Sequence, residues 1–168
     1  MENEVRMKKS KLKKILGFSG VVILIIATFI FFYLKTNSYH PTSEALKISQ
    51  KAEVQNDTLV FKGNPKKTSI IFYQGALVDN KSYSIWANKL AKAGYTVYLI
   101  KEPLNLAVFN PDKASSIIKT NKINNYVVGG HSLGGVITSR FAEKRISDSS
   151  LKGVFLDRKS TRLNSSHS

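Results

Sequence analysis

The feature of the sequence that most constrains the fold is a serine set between glycines, at the point where a short apolar run meets a helical pattern. Residues 126–135 read YVVGGHSLGG. Residues 125–128 have the composition of a buried strand, and apolar residues recur at helical spacing from Leu133 onward. The sequence therefore predicts a sharp strand-to-helix turn with Ser132 at its tip.

The glycines around this serine indicate a chemical role. The pattern Gly130-x-Ser132-x-Gly134 is typical of a nucleophile elbow, a strained turn that a side chain at either glycine would obstruct. A chance occurrence of three common residues is the alternative explanation. Because strand and helix patterns flank the motif, we favour the nucleophile and predict that Ser132 is catalytic, with Gly130 and Gly134 as the elbow glycines.

Continuous apolar runs elsewhere predict strands that are buried on both faces, as in a parallel sheet. Three such runs are residues 69–73, 96–100 and 153–156. A helical stripe over residues 83–91 separates the first two runs. A second helix is expected to begin with Asn110 as its cap and Pro111 as its first residue. Alternating strands and helices predict an α/β fold with a doubly wound, mostly parallel sheet.

A short helix and a hairpin are predicted ahead of the first long strand. Thr42 or Ser43 can cap the helix. Residues 52–54 and 58–61 lie on either side of a polar turn at residues 55–57, and this pattern predicts an antiparallel hairpin. The α/β domain is therefore expected to extend over residues 42–156.

The amino-terminal part predicts a membrane anchor. Residues 15–34 are twenty uncharged residues, which in a helix reach about 30 Å, the thickness of the hydrocarbon core of a bilayer. A cleaved signal peptide is the alternative, but the apolar run is longer than usual and no small-x-small cleavage site follows. Residues 1–14 form a basic arm with six Lys and Arg side chains, which predicts a cytoplasmic amino terminus. After a linker over residues 35–41, the domain is expected outside the cell membrane.

Composition excludes several kinds of site. The chain of 168 residues contains no cysteine and three histidines, so neither a disulfide framework nor a metal site is expected. The formal net charge is +15, of which the two ends supply +6. Residues 15–156 carry 17 basic and 8 acidic side chains, and apart from Lys66 and Lys67 the lysines are scattered singly, without aromatic interleaving. No nucleic-acid partner is expected.

Three stretches resemble the α/β-hydrolase superfamily, in particular its small membrane-anchored bacterial members: residues 72–79, 103–108 and 129–135. The resemblance implies a hydrolase without a cofactor that acts on an ester or related acyl bond of a small-molecule substrate. It implies that Ser132 attacks the acyl carbon. It also implies an oxyanion hole formed by the backbone N–H groups of Leu133 and of Gly75 or Ala76.

The rest of the catalytic triad does not match. In the superfamily an acid and then a histidine follow the serine, after later strands of the sheet. Here His40 precedes the sheet, and His131 is adjacent to the serine on a tight turn. His167 belongs to residues 157–168, which are similar to the translation of a sequencing-library adaptor. We therefore expect a non-native tail, an incomplete hydrolase fold, triad partners outside this chain and an inactive chain as given.

A non-catalytic alternative remains open from the sequence. A hydrolase-like module could bind a partner or a lipid at the membrane surface, because a fold does not by itself fix a function. The hydrolase is the favoured hypothesis, since the elbow motif and the two other matching stretches occur together.

Overall fold

The computed structural model describes residues 2–157, and the side chains from Gly17 onward. The chain divides into two compact units, Met1–Asn37 and Ser38–Ser168. The first unit contains one helix, α1 (Glu2–Thr36). Its segment Gly17–Thr36 is long and apolar enough to cross a membrane, by length and composition, although a signal sequence near the amino terminus meets the same criteria.

The described part of the second unit is built on a six-stranded sheet. The strands are β1 (Glu53–Gln55), β2 (Thr58–Phe61), β3 (Ser69–Tyr73), β4 (Val97–Leu99), β5 (Tyr126–His131) and β6 (Leu151–Asp157). Their order is β1-β2-β4-β3-β5-β6. The last four strands are parallel to one another, while the hairpin of β1 and β2 is antiparallel and joins the sheet through β4. The predicted mostly parallel sheet is confirmed.

Helices cover both faces of this sheet. They are α2 (Ser43–Ser49), α3 (Ser84–Lys92), α4 (Lys113–Thr120) and α5 (Leu133–Glu143). One buried cluster joins the sheet to α4 and α5 through Ile117, Ile137 and Phe141. The other joins the opposite face to α3 through Ala87 and its partly buried neighbour Trp86. This arrangement confirms the predicted α/β class with helices wound on both faces of the sheet.

The predicted start of α4 is wrong. The helix begins at Lys113 with Asp112 as its cap, not at Pro111 with Asn110 as the cap. The Tyr73 hydroxyl donates to the Pro111 carbonyl at 2.6 Å and accepts the Ala114 N–H at 3.1 Å. This side chain from β3 takes the carbonyl that a first helical turn at Pro111 would use, so the helix starts later.

Two strands extend beyond their predicted limits. β5 continues to His131, and β6 includes Asp157, whose predicted place was in the non-native tail. The rest of that tail, residues 158–168, lies outside the described residues. β6 lies at one edge of the described sheet, where Val154, Phe155 and Leu156 are exposed.

Candidate active site

Ser132 occupies the turn between β5 and α5. Its backbone has φ 51° and ψ −115°, in a region that non-glycine residues rarely adopt and that costs about 1–3 kcal/mol. The Ser132 N–H donates to the Asp157 carbonyl at 3.0 Å, and the Ser132 carbonyl accepts the Gly135 N–H at 2.9 Å. These bonds hold the strained residue, and its side chain is exposed at the carboxyl edge of the sheet.

The two glycines of the motif are required by close backbone contacts. A Cβ atom at Gly130 would lie 2.3 Å from the carbonyl carbon and oxygen of Gly134. A Cβ atom at Gly134 would lie 2.4 Å from the Tyr73 carbonyl oxygen. Both distances are far below a van der Waals contact, and the obstructing atoms are backbone. Only glycine at these positions lets α5 begin this close to β5 and β3.

The loop after β3 lies at the same edge of the sheet. Gly75 begins a tight turn that the Val78 N–H closes by donating to the Gly75 carbonyl at 3.2 Å, and Leu77 within it has φ 60°. The Gly75 N–H donates to the Tyr83 hydroxyl at 3.0 Å. Within the described part of the chain, the Ala76 N–H makes no hydrogen bond.

A second free N–H group begins α5. Leu133 is the first residue of that helix, so its N–H has no acceptor in the preceding turn. Such a group carries the positive end of the helix dipole and favours a negative charge in front of it. The candidate donors from the two loops are therefore Leu133 and Ala76, because the N–H of Gly75 is already bonded.

His131 and Tyr83 form a half-buried pair behind Gly75. The His131 Nδ1 atom lies 3.0 Å from the Tyr83 hydroxyl, and a Cβ atom at Gly75 would lie 2.4 Å from Nδ1. The hydroxyl oxygen accepts from Gly75, and the direction of its bond to Nδ1 depends on the tautomer of His131. Burial raises the pKa of Tyr83 to about 12, so the phenol stays neutral. Among the described residues, His131 makes no hydrogen bond to Ser132.

The loop after β4 buries an ionisable side chain. Glu102 is 1% exposed, and neither carboxylate oxygen has a hydrogen-bond partner among the described residues. Burial raises the pKa of Glu102 to about 8, and Lys113 offsets only part of that rise. Burial therefore favours the neutral carboxylic acid form of Glu102 at neutral pH.

Replacing Glu102 by glutamine is expected to stabilise the protein above about pH 8 by roughly 1–3 kcal/mol. In the native protein the folded state keeps this group protonated up to about pH 8, whereas the ordinary pKa is 4.5. The stability that the group contributes is thus complete below its ordinary pKa and is lost as the pH rises to about 8. Urea unfolding across this pH range measures the difference.

Glu53 is the matched control for that experiment. It is exposed on β1, and hydrogen bonds from Gln55 and Lys62 lower its pKa. Its contribution has the opposite sign, because it is lost as the pH falls. Glu53→Gln should therefore leave in place the loss of stability between about pH 4.5 and pH 8. A loss over this range that also persists in Glu102→Gln would contradict the assignment to Glu102.

The described residues contain no group of three or more His, Asp or Glu side chains that could hold a metal ion.

Two buried or half-buried side chains described above had no signal in the sequence. In the sequence, Tyr83 belongs to a helical stripe and Glu102 belongs to no motif. Their roles depend on contacts with distant parts of the chain.

A family model described as "Alpha/beta hydrolase family" matches residues 69–159, more than half of the chain. The chain belongs to the alpha/beta hydrolase family. The match to this hydrolase family includes both the loop after β3 and the turn at Ser132. Family membership supports a hydrolase-type function. No curated protein matches the chain.

Two solved structures are similar to this hydrolase-family chain. One is a probable hydrolytic enzyme from Pseudomonas aeruginosa PAO1, with 18% identity and a TM-score of 0.46, covering 59% of this chain and 36% of that one. The other is an alpha/beta hydrolase enzyme from a Medee basin deep-sea metagenome library, with 12% identity and a TM-score of 0.45, covering 62% of this chain and 42% of that one. The chain thus spans less than half the length of either structure.

Proposed function

We propose that the protein is a membrane-anchored serine hydrolase that cleaves an ester or related acyl bond, with Ser132 as the nucleophile. The observation that carries the proposal is the backbone of Ser132, at φ 51° and ψ −115° between β5 and α5 with an exposed side chain. This conformation presents the hydroxyl group to a substrate at the carboxyl edge of the sheet. Family membership supports the reaction class.

The proposed reaction proceeds through an acyl-enzyme. The Ser132 oxygen bonds to the acyl carbon, a histidine base takes the serine proton, and the N–H groups of Leu133 and Ala76 donate to the developing oxyanion. The ester C–O bond then breaks, and the alcohol leaves with the proton that the base returns. Water adds to the acyl-enzyme by the same steps and releases the acid.

The base and its orienting acid are not among the described residues in this proposal. His131 is bonded to Tyr83, and His40 is exposed before the sheet. A serine without a base is a weak nucleophile. A protein made only of residues 2–157 is therefore proposed to be inactive. The activity is proposed for the whole protein.

A fluorophosphonate probe tests the assignment in the whole protein. It should form a covalent adduct on the peptide that contains Ser132, identified by mass spectrometry after digestion. An adduct on another serine would place the nucleophile elsewhere. The absence of any adduct would favour the non-catalytic binding module.

Tyr83→Phe is expected to lower kcat about tenfold and to leave KM nearly unchanged. The Tyr83 hydroxyl accepts the Gly75 N–H at 3.0 Å, and without it the turn that aims the Ala76 N–H loses an anchor. An effect on kcat alone indicates weaker binding of the transition state rather than of the substrate. Steady-state kinetics on a soluble ester measure both constants.

Tyr95→Phe is the matched control, because the Tyr95 hydroxyl makes no hydrogen bond among the described residues. It should leave kcat and KM unchanged. If Tyr83→Phe also leaves kcat unchanged, the hydroxyl does not position the loop.

The anchor is proposed to be α1, uncleaved, with the amino terminus in the cytoplasm. The lysines before Gly17 and the apolar segment Gly17–Thr36 support this orientation. Protease added to intact cells should degrade the hydrolase domain and leave an amino-terminal epitope protected. Protection of the domain would reverse the topology, and a soluble domain lacking the helix would indicate a cleaved signal.

A further inference from the structure

The backbone that follows α1 is hydrogen-bonded to the loop of the candidate oxyanion hole. The Tyr39 N–H donates to the Leu77 carbonyl at 2.6 Å, and the Asp79 N–H donates to the Tyr39 carbonyl at 3.1 Å. Tyr39 thereby forms a parallel bridge with Val78. Because Ala76 directly precedes Leu77, the entry of the chain into the hydrolase unit and the candidate N–H donor belong to one bonded segment.

The loop after β4 completes this connection. The Leu77 N–H donates to the Asn105 carbonyl at 2.8 Å. The Asn105 side chain donates to the Ser38 hydroxyl at 3.4 Å and accepts from the buried Gln74 amide at 3.1 Å. We call residues 38–39, 77–79 and 105 the latch, since three separate parts of the chain meet in it.

Exposed apolar side chains lie in and next to the latch. They are Tyr39, Leu104, Val108 and Phe109, which are 69%, 37%, 47% and 57% exposed. We call these four residues the apolar rim. The last three follow β4 in the chain, as Ala76 follows β3 and Ser132 follows β5, and β3, β4 and β5 are parallel, so their carboxyl ends lie at one edge of the sheet.

The sequence limits how far the latch can be from a bilayer that holds α1. Only Asn37 and Ser38 separate Tyr39 from Thr36, the last residue of the apolar segment. Three residues of extended chain reach about 10 Å. Aromatic residues such as Tyr39 and Phe109 are favoured at the boundary between lipid and water, where an apolar ring can be buried at shallow depth.

We propose that the apolar rim rests on the bilayer surface, so that Ser132 takes amphiphilic acyl esters whose acyl chains are held in the membrane. The reaction in this proposal rests on the proposed hydrolase function. The location of the rim at the bilayer rests on insertion of α1 into the membrane. The latch links the two, because it bonds the chain that leaves the membrane to the loop that carries Ala76. A substrate would reach Ser132 from the lipid side.

Fluorescence of the full chain in lipid vesicles tests the location. The chain has no cysteine, so Phe109→Cys provides a single attachment point for an environment-sensitive dye. In vesicles that contain lipids with a nitroxide at the head group, the dye at position 109 should shift its emission to the blue and lose most of its intensity. Val108→Cys should behave in the same way.

Ile146→Cys is the matched control. Ile146 is also an exposed apolar residue, at 85%, but it precedes β6 and so lies at the opposite edge of the sheet. Its dye should keep the emission of an aqueous environment. Equal quenching at positions 109 and 146, or none at either, would overturn the proposal. A blue shift at 109 without nitroxide quenching, growing with protein concentration, would instead indicate a second copy of the chain on the rim.

The substrate class has a separate readout in the whole protein. A fluorophosphonate with a long alkyl chain, dissolved in the same vesicles, should label Ser132 at least about tenfold faster than a short-chain analogue in water, since apolar chain length concentrates the probe in lipid. Equal rates would overturn the substrate class. The dye measurement needs no turnover, so failure of the hydrolase function and failure of the membrane contact give different results.

Discussion

Ser132→Ala is expected to lower kcat/KM of the whole protein for a soluble ester by about three orders of magnitude or more. The substitution removes the oxygen that forms the acyl-enzyme, and no neighbouring group among the described residues can replace it. Stability should change by no more than about 0.5 kcal/mol, because the side chain is exposed and makes no hydrogen bond in the described part of the chain. Ester hydrolysis and a thermal melt of the same preparation measure both effects.

Ser139→Ala is the control for this experiment. Ser139 lies on α5, about two helical turns after Ser132. Its hydroxyl donates only to the Gly135 carbonyl, at 3.0 Å. Its loss should leave kcat/KM unchanged. If Ser132→Ala retained the activity of the unsubstituted protein, the elbow would be a structural turn and the binding module would become the better hypothesis.

The elements that the sequence predicts well are those set by neighbouring residues. The hairpin, the long strands and the helix after Ser132 each have a local pattern of apolar residues, and the structure confirms them. The start of α4 has no such local cause. It depends on the Tyr73 hydroxyl, which reaches Pro111 from 38 residues away. A capping rule applied to Asn110 and Pro111 could not include that contact.

The same distinction holds for the candidate site. The turn at Ser132 has a local motif, and the structure gives that residue the φ of 51° which a strained turn requires. The sequence leaves Gly75 and Ala76 as equal alternatives for the second N–H donor. Only the contact with Tyr83 separates them, since it occupies the Gly75 N–H. The link from Tyr83 to His131 spans 48 residues, which no short motif records.

Gly130→Ala is expected to destabilise the protein by about 3 kcal/mol or more and to abolish activity. The added Cβ would lie 2.3 Å from the backbone of Gly134 and 2.6 Å from the Gly135 nitrogen. These atoms form the first turn of α5, which can move only if the helix withdraws from β5. That movement would displace Ser132 and the Leu133 N–H together, so activity should fall even in molecules that remain folded.

Gly153→Ala is the control that separates this steric clash from the general effect on stability of replacing a strand glycine by alanine. Gly153 lies in β6 beside β5, and the nearest atom to an added Cβ is the Val127 methyl carbon at 4.0 Å, an ordinary contact. Gly94 is the one described glycine with a positive φ, so neither substitution forces a disfavoured backbone. Gly153→Ala should be neutral or stabilising by up to about 1 kcal/mol, because alanine restricts the unfolded chain. Urea unfolding of the two variants side by side measures the difference, and equal midpoints would mean that α5 can retreat from β5 without cost.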